Sequence, residues 1–290
     1  MSDDEPRELM VLEQPDAVRA RIVSAQRHGD RVGLVPTMGA LHDGHLRLVE
    51  EARENCDFVV VTIFVNPTQF GPQEDLEKYP RPFQDDVEKC RAADVDVIFH
   101  PAPEVMYPKG FQTTVSVGEL SKVWEGAHRP EHFDGVTTVV LKLFSIAPAD
   151  IAFFGRKDYQ QQLLIRRMVR DLNVPIEIET VDTVREPDGL ALSSRNVYLS
   201  ADDRQSALAL SESLHMARDR FTAGETDVLR VQQAMHDRLQ ADSRIELDYA
   251  TIVDPETLTE LTEAQTSMVA LVAARVGPTR LIDNLPIELS

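Results

Sequence analysis

The sequence has few cysteines, no long apolar run and no basic leader segment. Its two cysteines, Cys56 and Cys90, lie in no CxxC or metal-ligand spacing, so two ordinary buried thiols are expected. The longest apolar candidate, residues 268–276, contains Arg275 and is much shorter than the ~20 residues that a membrane helix needs. The chain starts Met-Ser-Asp-Asp-Glu-Pro, unlike a secretory signal. These absences predict a cytoplasmic protein with no membrane partner.

Basic residues are also scarce. Asp and Glu number 49 against 30 Lys and Arg, which gives a formal net charge of −19. Binding to nucleic acid depends mainly on attraction between basic side chains and phosphates, so no nucleic-acid partner is expected for so acidic a chain. Any phosphate ligand is expected to be a small molecule held in a locally positive pocket.

The first half of the chain alternates strand-like and helix-like segments. Strands are predicted at residues 32–35, 58–65, 96–99, 150–154 and 176–181, and Pro36 is expected to end the first of them. Helices are predicted at residues 16–28, 83–92, 136–146 and 159–172, and another opens near Asp43. Such alternation predicts right-handed crossovers and a parallel sheet with helices on both faces.

The pattern changes after the polar stretch at residues 185–189. Two helices, predicted at residues 201–221 and 227–240, precede three short strand candidates at 246–253, 267–274 and 279–285. Ser200 is expected to cap the first of these helices. Helices followed by antiparallel strands indicate a small α+β domain. We therefore predict a main domain at residues 1–184 and a smaller one at residues 185–290.

The loop at residues 36–45, PTMGALHDGH, is the strongest candidate for a phosphate site. It lies between a predicted strand and a predicted helix. Gly39 and Gly44 allow close backbone approach, and the helix start near Asp43 offers N–H groups and the positive end of a dipole. His42 and His45 add donors three residues apart. The Walker lysine is absent, and a zinc site is the poorer interpretation because no third ligand has suitable spacing.

Three other polar segments, also expected at the carboxyl ends of strands, add candidate chemistry. Residues 66–71 supply Asn and Gln amides, residues 154–161 supply Lys157, and residues 192–196 supply two hydroxyls and a guanidinium. In open α/β sheets, ligands bind beyond the carboxyl ends of strands. Taken alone, each segment fits an ordinary turn, a capped helix or a polar hinge as well as a binding site.

Together these motifs resemble the pantothenate synthetase (pantoate–β-alanine ligase) family of the HIGH-motif nucleotidyltransferase superfamily. The resemblance covers nearly the whole chain. It rests on residues 36–45, 64–71, 79–81, 125–136, 157–161 and 188–196.

The resemblance implies an α/β fold, with a Rossmann-like parallel sheet domain and a smaller α+β C-terminal lid domain. It implies that (R)-pantoate and β-alanine are condensed to pantothenate through pantoyl adenylate, with release of AMP and pyrophosphate. ATP would be a substrate, Mg²⁺ would assist, and the protein would be a homodimer.

The resemblance also implies roles for particular residues. Those expected to be catalytic are His42, His45, Lys157, Ser193, Ser194 and Arg195. Those expected to bind ATP are Met38, Gly39, Ala40, Leu41, His42, Asp43, Gly44, His45, Gly155, Arg156, Lys157, Asp158, Val184, Leu192, Ser193, Ser194 and Arg195. Those expected to bind pantoate or β-alanine are Pro36, Thr37, Asn66, Gln69, Arg129, His132 and Gln161. Asp85 and Asp86 are implied as magnesium ligands, although a solvated helix start explains them equally well.

Two other functions fit part of the pattern. A different nucleotidyltransferase of the same superfamily would share the HxGH loop but should lack the paired amides of Gln69 and Gln161. A catalytically silent nucleotide-binding protein is disfavoured by the retention of His42, His45 and Lys157.

Overall fold

The computed structural model describes residues 8–72, 74 and 76–289. The chain divides into two compact units. The first comprises the residues up to Gly155 together with Gln160–Val181, and the second comprises Arg156–Tyr159 and the residues from Asp182 onward. The acidic start of the chain, on which the prediction of no leader rests, lies outside the described residues. The functional domain boundary at 184/185 stays a prediction.

The first unit contains a six-stranded sheet. Its strands are β1 (Met10–Leu12), β2 (Val32–Thr37), β3 (Phe58–Ile63), β4 (Val97–Phe99), β5 (Ile151–Gly155) and β6 (Glu177–Val181). Its helices are α1 (Pro15–His28), α2 (Asp43–Asn55), α3 (Phe83–Ala92), α4 (Pro103–Met106), α5 (Glu125–His128), α6 (His132–Ile146) and α7 (Tyr159–Asp171). Strand β1 and helices α4 and α5 were not predicted, because they are too short to show a periodic pattern in the sequence.

The sheet has the order β1-β4-β3-β2-β5-β6, and all neighbouring strands are parallel. The chain builds outward from β2 on one side and then returns to its other side with β5. The strand order therefore reverses between β2 and β5, which is where open parallel sheets bind ligands at their carboxyl edge. The predicted parallel sheet is confirmed.

Both faces of the sheet are covered. Val32 and Leu34 of β2 pack in one apolar cluster with residues of α1 and α6, whereas Val35 packs in a second cluster with residues of α2 and α3. All six residues of β3 are buried, as expected for a continuous apolar strand between two helical layers. This burial makes the sheet a rigid support for the loops at its carboxyl edge.

Pro36 does not end β2, contrary to the sequence analysis. The strand continues to Thr37, and Pro36 stays in register with Thr62 of β3. The Thr37 carbonyl accepts from the Phe64 N–H on the β3 side, so Pro36 faces the other edge of the strand. On that edge β5 pairs only with Gly33 and Leu34, and proline therefore removes no ladder hydrogen bond.

The second unit is the predicted α+β arrangement. Helices α8 (Ala201–Thr222) and α9 (Val228–Gln240) pack in one apolar cluster with the antiparallel sheet β7 (Ile245–Val253), β8 (Ser267–Val276) and β9 (Thr279–Glu288). The Ser200 side chain caps α8 by accepting a hydrogen bond from the Asp203 N–H at 3.1 Å, as predicted.

The structure bears on two predictions, one about the cysteines and one about membrane spans. Cys56 and Cys90 are both buried free thiols. No helix in the described part of the chain combines the length and the apolar character that crossing a bilayer requires.

Candidate functional site

The turn at His42 and His45 follows β2 and begins α2, at the edge where the strand order reverses. His42 is the N-cap residue, and its Nδ1 accepts a hydrogen bond from the Gly44 N–H at 3.1 Å. His45 Nδ1 accepts from the His42 N–H at 3.3 Å, so the two histidines cap the helix reciprocally. Their ring centroids are 4.0 Å apart, which confirms that both rings lie on one side of the turn.

This reciprocal capping decides where each ring carries its proton. A neutral imidazole has one N–H donor and one bare nitrogen. Because Nδ1 is the acceptor in both His42 and His45, the proton of each neutral ring lies on Nε2. Two adjacent Nε2–H donors suit an anion, whereas a metal ion needs bare nitrogens. Among the described residues, no group of three or more potential ligands could hold a metal ion.

The N–H groups at the start of α2 are used by the turn itself. Gly44 donates to His42 Nδ1, and His45 donates to the His42 carbonyl at 2.8 Å. The expectation of free N–H groups for phosphate at this helix start is therefore wrong for these two residues, because capping has already satisfied them. The dipole of α2 and the two imidazoles remain as the features that favour an anion.

The segment just before His42 adopts a left-handed backbone, with φ of +82° at Gly39 and +50° at Ala40. A Cβ atom at position 39 would also lie 3.0 Å from Asp86 Oδ2 and 3.0 Å from Ile63 Cγ2. Glycine is thus required at position 39 for both its conformation and its close approach to neighbours. Position 40 tolerates alanine at some cost in conformational energy.

Asp86 of α3 binds this left-handed segment. Its two carboxylate oxygens accept hydrogen bonds from the N–H groups of Ala40 at 2.8 Å and Leu41 at 2.7 Å. The side chain is buried, and burial raises the pKa of the carboxyl group while the bonds from the loop oppose that rise. Asp85, the adjacent residue, is exposed. Asp86 therefore does not fit the predicted magnesium ligand, because its oxygens face backbone N–H groups inside the protein.

Polar side chains after β3 form a second group beside the loop. The Asn66 amide donates to Gln69 Oε1 at 3.0 Å and to the Gly135 carbonyl at 3.2 Å. Tyr107 donates to Asn66 Oδ1 at 2.7 Å, which orients that amide. The Gln69 amide nitrogen lies 3.0 Å from Met38 Sδ. The structure therefore brings the candidate residues Met38, Asn66 and Gln69 together and adds Tyr107, for which the sequence carried no signal.

His132 and Arg129 lie behind Gln69. His132 Nδ1 lies 2.8 Å from the Gln69 carbonyl, and its Nε2 lies 3.1 Å from Arg129 Nη1. Arg129 also forms a bidentate ion pair with Glu74, at 2.6 and 2.8 Å. Burial, reinforced by the Arg129 guanidinium, lowers the pKa of His132 from 6.5 to about 4. A neutral His132 can then donate to Gln69 and accept from Arg129, and its predicted contact with substrate stays a prediction.

The consecutive glutamines of α7 have different surroundings. Gln160 is buried, its amide donates to the carbonyls of Leu120 and Val123, and its Oε1 accepts from the Glu125 N–H at 3.1 Å. Gln161, the predicted pantoate ligand, is half-buried. The structure thus gives Gln160 a packing role that the sequence analysis could not separate from the role of its neighbour.

The second unit holds the Lys157 segment through a residue that the sequence analysis missed. Asn284 of β9 is buried, and its amide nitrogen donates to the carbonyls of Arg156 at 2.9 Å and Lys157 at 2.8 Å. Tyr159 donates to the Pro255 carbonyl at 3.1 Å. These bonds explain why Arg156–Tyr159 belongs to the second unit, although Gly155 ends a strand of the first. The polar pair Asp283-Asn284 inside an apolar strand was the available signal.

The remaining predicted ATP residues lie in a looped segment of the second unit. The Leu192 N–H donates to the Val184 carbonyl at 3.0 Å, which brings these two predicted residues together. Ser193 caps a short 3-10 helix, Ser194–Tyr198, by accepting a hydrogen bond from the Arg195 N–H at 3.3 Å. The hydroxyls and the guanidinium of this segment are therefore carried on a capped turn.

Two cavities lie at opposite ends of the strands of the parallel sheet. A cavity of about 510 Å³ opens beside Met38 and Gly39, and Asp86, Arg81 and His100 also line it. A larger hollow of about 750 Å³ lies where β2, β5 and β6 begin and contains none of the predicted site residues. The cavity at the carboxyl edge is the relevant one, because parallel sheets bind ligands there.

The parallel sheet and the histidine-capped turn at its switch point define an α/β protein of the Rossmann-like class. A family model described as pantoate-beta-alanine ligase matches residues 10–286. The chain therefore belongs to the pantoate–β-alanine ligase family.

Relatives and solved structures agree with this assignment. The chain is 54% identical over 272 residues to the pantothenate synthetase of Rhodopirellula baltica, covering 93% of this chain and 95% of that one. It resembles the crystal structure of pantothenate synthetase from Thermus thermophilus with a TM-score of 0.91 and 47% identity, covering 95% and 98% of the two chains. Pantoate-beta-alanine ligase from Francisella tularensis, complexed with beta-gamma ATP and beta-alanine, matches with a TM-score of 0.79 and 33% identity over 96% and 97% of the two chains.

Proposed function

We propose that this protein condenses pantoate with β-alanine at the expense of ATP, giving pantothenate, AMP and pyrophosphate. The observation that carries the proposal is the reciprocal capping of His42 and His45, which presents two Nε2–H donors at the switch point of the sheet. Membership of the family supports the reaction, and the Francisella tularensis complex supports ATP and β-alanine as ligands.

The proposed chemistry has two steps. A pantoate carboxylate oxygen attacks the α-phosphorus of ATP, the bond to the β-phosphate oxygen breaks, and pyrophosphate leaves. The β-alanine amine then attacks the carbonyl carbon of pantoyl adenylate, and AMP leaves with the former carboxylate oxygen while the amine loses a proton. In the first step, negative charge moves onto the leaving pyrophosphate, where donors that are already in place lower the barrier.

We assign the phosphate contacts to His42 and His45, through Nε2–H, and to Lys157, through its ammonium group. Ser193, Ser194 and Arg195 supply further donors. The capping of both histidines supports their role, because it uses Nδ1 as the acceptor and so places the proton of each neutral ring on Nε2. The rest of the ATP site follows the family resemblance: Met38, Gly39, Ala40, Leu41, Asp43, Gly44, Gly155, Arg156, Asp158, Val184 and Leu192.

We assign pantoate to the amides of Gln69 and Gln161, with Pro36, Thr37 and Asn66 nearby. The contacts from Asn66 to Gln69 and from Gln69 to Met38 support this assignment, because they hold an uncharged amide beside the proposed phosphate loop. An amide can bind the hydroxyl and carboxylate groups of pantoate without consuming or releasing a proton.

Magnesium is proposed only as the ion that accompanies ATP, where it would supply positive charge to the phosphates. Asp86 does not fit a ligand for it, so we derive no step from a metal held by α3. A homodimer in the cytoplasm, with the C-terminal region acting as a lid, is also proposed on the family resemblance. Light scattering of the purified protein tests the dimer, and a mass of one chain would exclude it.

The reaction is tested by incubating the protein with ATP, Mg²⁺, β-alanine and pantoate labelled with ¹⁸O in its carboxylate. We expect pantothenate and AMP in equal amounts, with one ¹⁸O atom in each AMP. Omission of β-alanine should leave pyrophosphate formation limited to about one turnover. Formation of ADP, or of unlabelled AMP, would exclude the adenylate route. If neither pantothenate nor AMP forms with any combination of these reactants, the proposal is overturned.

A further inference from the structure

Asp86 binds the backbone of the proposed phosphate loop, and the roles assigned above give these bonds no function. Its carboxylate is 1% exposed and accepts N–H bonds from two consecutive residues, Ala40 and Leu41. Consecutive N–H groups converge on one acceptor here because the backbone is left-handed at Gly39 and Ala40. A carboxylate, with two adjacent oxygens, can bind both groups at once.

Lys89 extends the same contact from the next turn of α3. Its ammonium group donates to the Leu41 carbonyl at 2.6 Å, so Leu41 is bound at both its N–H and its C=O. Residues three apart on a helix face the same way, which places Asp86 and Lys89 side by side. Their opposite charges also compensate one another where the carboxylate is buried.

The position of these bonds connects them with the histidines. Leu41 directly precedes His42, whose backbone N–H and ring make the reciprocal cap with His45. A shift of the segment at residues 39–41 would therefore move the N-cap residue and the proton-bearing Nε2 atoms together. Displacement of a reacting group by about 1 Å can cost about 10²-fold in rate.

We propose that Asp86, assisted by Lys89, is a positioning residue that holds the loop in the geometry required for adenylation, and that it is not a magnesium ligand. The proposal rests on the proposed function. It assigns to α3 the task of orienting the two imidazoles through the backbone of residues 39–41.

The test compares Asp86→Asn with Glu88→Gln. Asp86→Asn keeps the size of the side chain but directs an NH₂ group at a backbone N–H of the loop. Glu88 is exposed and lies two residues further along α3, so Glu88→Gln also replaces a carboxylate with an amide but keeps the bonds from Asp86 to the loop. Steady-state AMP formation is measured for both at several Mg²⁺ concentrations, together with thermal unfolding.

For Asp86→Asn we expect kcat to fall by about 10²-fold, with the KM values for pantoate and β-alanine within about threefold of the original and the Mg²⁺ dependence unchanged. Glu88→Gln should behave as the original protein. Nitrogen-15 NMR of the imidazoles should show a changed Nε2–H population in Asp86→Asn, which a general loss of stability would not produce.

Other outcomes overturn the proposal in distinct ways. Recovery of full kcat in Asp86→Asn at high Mg²⁺ would make Asp86 a metal ligand, and unchanged kcat would remove any role. If Asp86→Asn fails to fold, Lys89→Met provides the test, with an expected fall of about tenfold in kcat at unchanged KM; an unchanged kcat there would overturn the proposal. An inactive unmodified protein would contradict the proposed function instead.

Discussion

The two units anchor their proposed ATP-binding segments in opposite chemical ways. In the first unit, an acceptor, Asp86, receives the N–H groups of two consecutive residues before His42. In the second unit, a donor, Asn284, gives its amide hydrogens to the carbonyls of two consecutive residues, Arg156 and Lys157. Both anchors are at most 2% exposed.

The difference follows from the backbone that each anchor binds. The left-handed turn before His42 directs N–H groups inward, so only an acceptor can satisfy them. The segment at Lys157 directs carbonyl groups inward, so only a donor can do so. The carboxylate needs compensation for its buried charge, which Lys89 supplies, whereas the neutral amide needs none. In each unit, these anchoring bonds go to backbone atoms. They fix the path of the segment but do not restrict which side chains it carries.

The largest expected effect tests the first unit directly. His45→Ala removes one Nε2–H donor and one half of the reciprocal cap, and should lower kcat for AMP formation by about 10²–10³-fold. The variant should remain folded, as circular dichroism can show. His28→Ala, which changes an exposed histidine of α1, is the control and should keep full activity. Normal turnover of His45→Ala would exclude the role assigned to His45.

A pH experiment tests His132 in the first unit. The pKa of His132 is about 4 in the folded protein and 6.5 in the unfolded chain, so below pH 6.5 the unfolded chain binds the extra proton. The contribution of His132 to the free energy of unfolding should be complete above pH 6.5. It should be lost as pH decreases toward 4, by about 3 kcal/mol in total.

The free energy of unfolding in urea, measured between pH 7 and pH 4, checks this expectation. His132→Gln keeps an N–H donor at this position but does not titrate, so the stability of the variant should fall less steeply over the same range. Equal slopes for the two proteins would show that His132 is not the group responsible.

Asn284→Asp tests the anchor of the second unit. The substitution replaces the NH₂ group with an oxygen that faces two carbonyl oxygens, and should raise the KM for ATP by about tenfold with a smaller change in kcat. Asn173→Asp makes the same change at an exposed turn after α7 and should have no effect. An unchanged KM for ATP in the folded Asn284→Asp variant would mean that the Lys157 segment needs no anchor.

The smallest effect separates stability from activity. Ser200→Ala removes the N-cap of α8 and should lower the free energy of unfolding by about 1 kcal/mol. Because Ser200 contacts neither anchor, kcat and the KM for ATP should not change at a temperature where the protein stays folded. A fall in activity equal to that of Asn284→Asp would imply that loss of stability alone explains both variants.

Much of the fold could be predicted from the sequence because its elements are long and periodic. Helix α3 was predicted with its observed bounds, Phe83–Ala92, and the apolar run of β3 correctly indicated a strand covered on both faces. Pro36 misled the analysis because a proline stops a strand only where its missing N–H would have had a partner. That condition depends on the neighbouring strand.

The candidate site was predictable only in part. The HxGH spacing and its place between a strand and a helix identified His42 and His45, since a helix start brings residues three apart together. Asp85 and Asp86 are indistinguishable in the sequence, yet one is exposed and the other is buried against the loop. The rotation of α3 about its axis decides which of them reaches Ala40 and Leu41.

By itself, the sequence determined the class of fold, the positions of most elements and the residue types available to the site. These follow from local periodicity and from spacing within single turns. Only the tertiary structure decided which hydrogen bonds those residues make: that the rings of His42 and His45 cap each other, that Asp86 faces the loop, and that Asn284 holds Lys157. Such contacts join residues that are up to 127 positions apart, so the packing of whole elements has to bring them together.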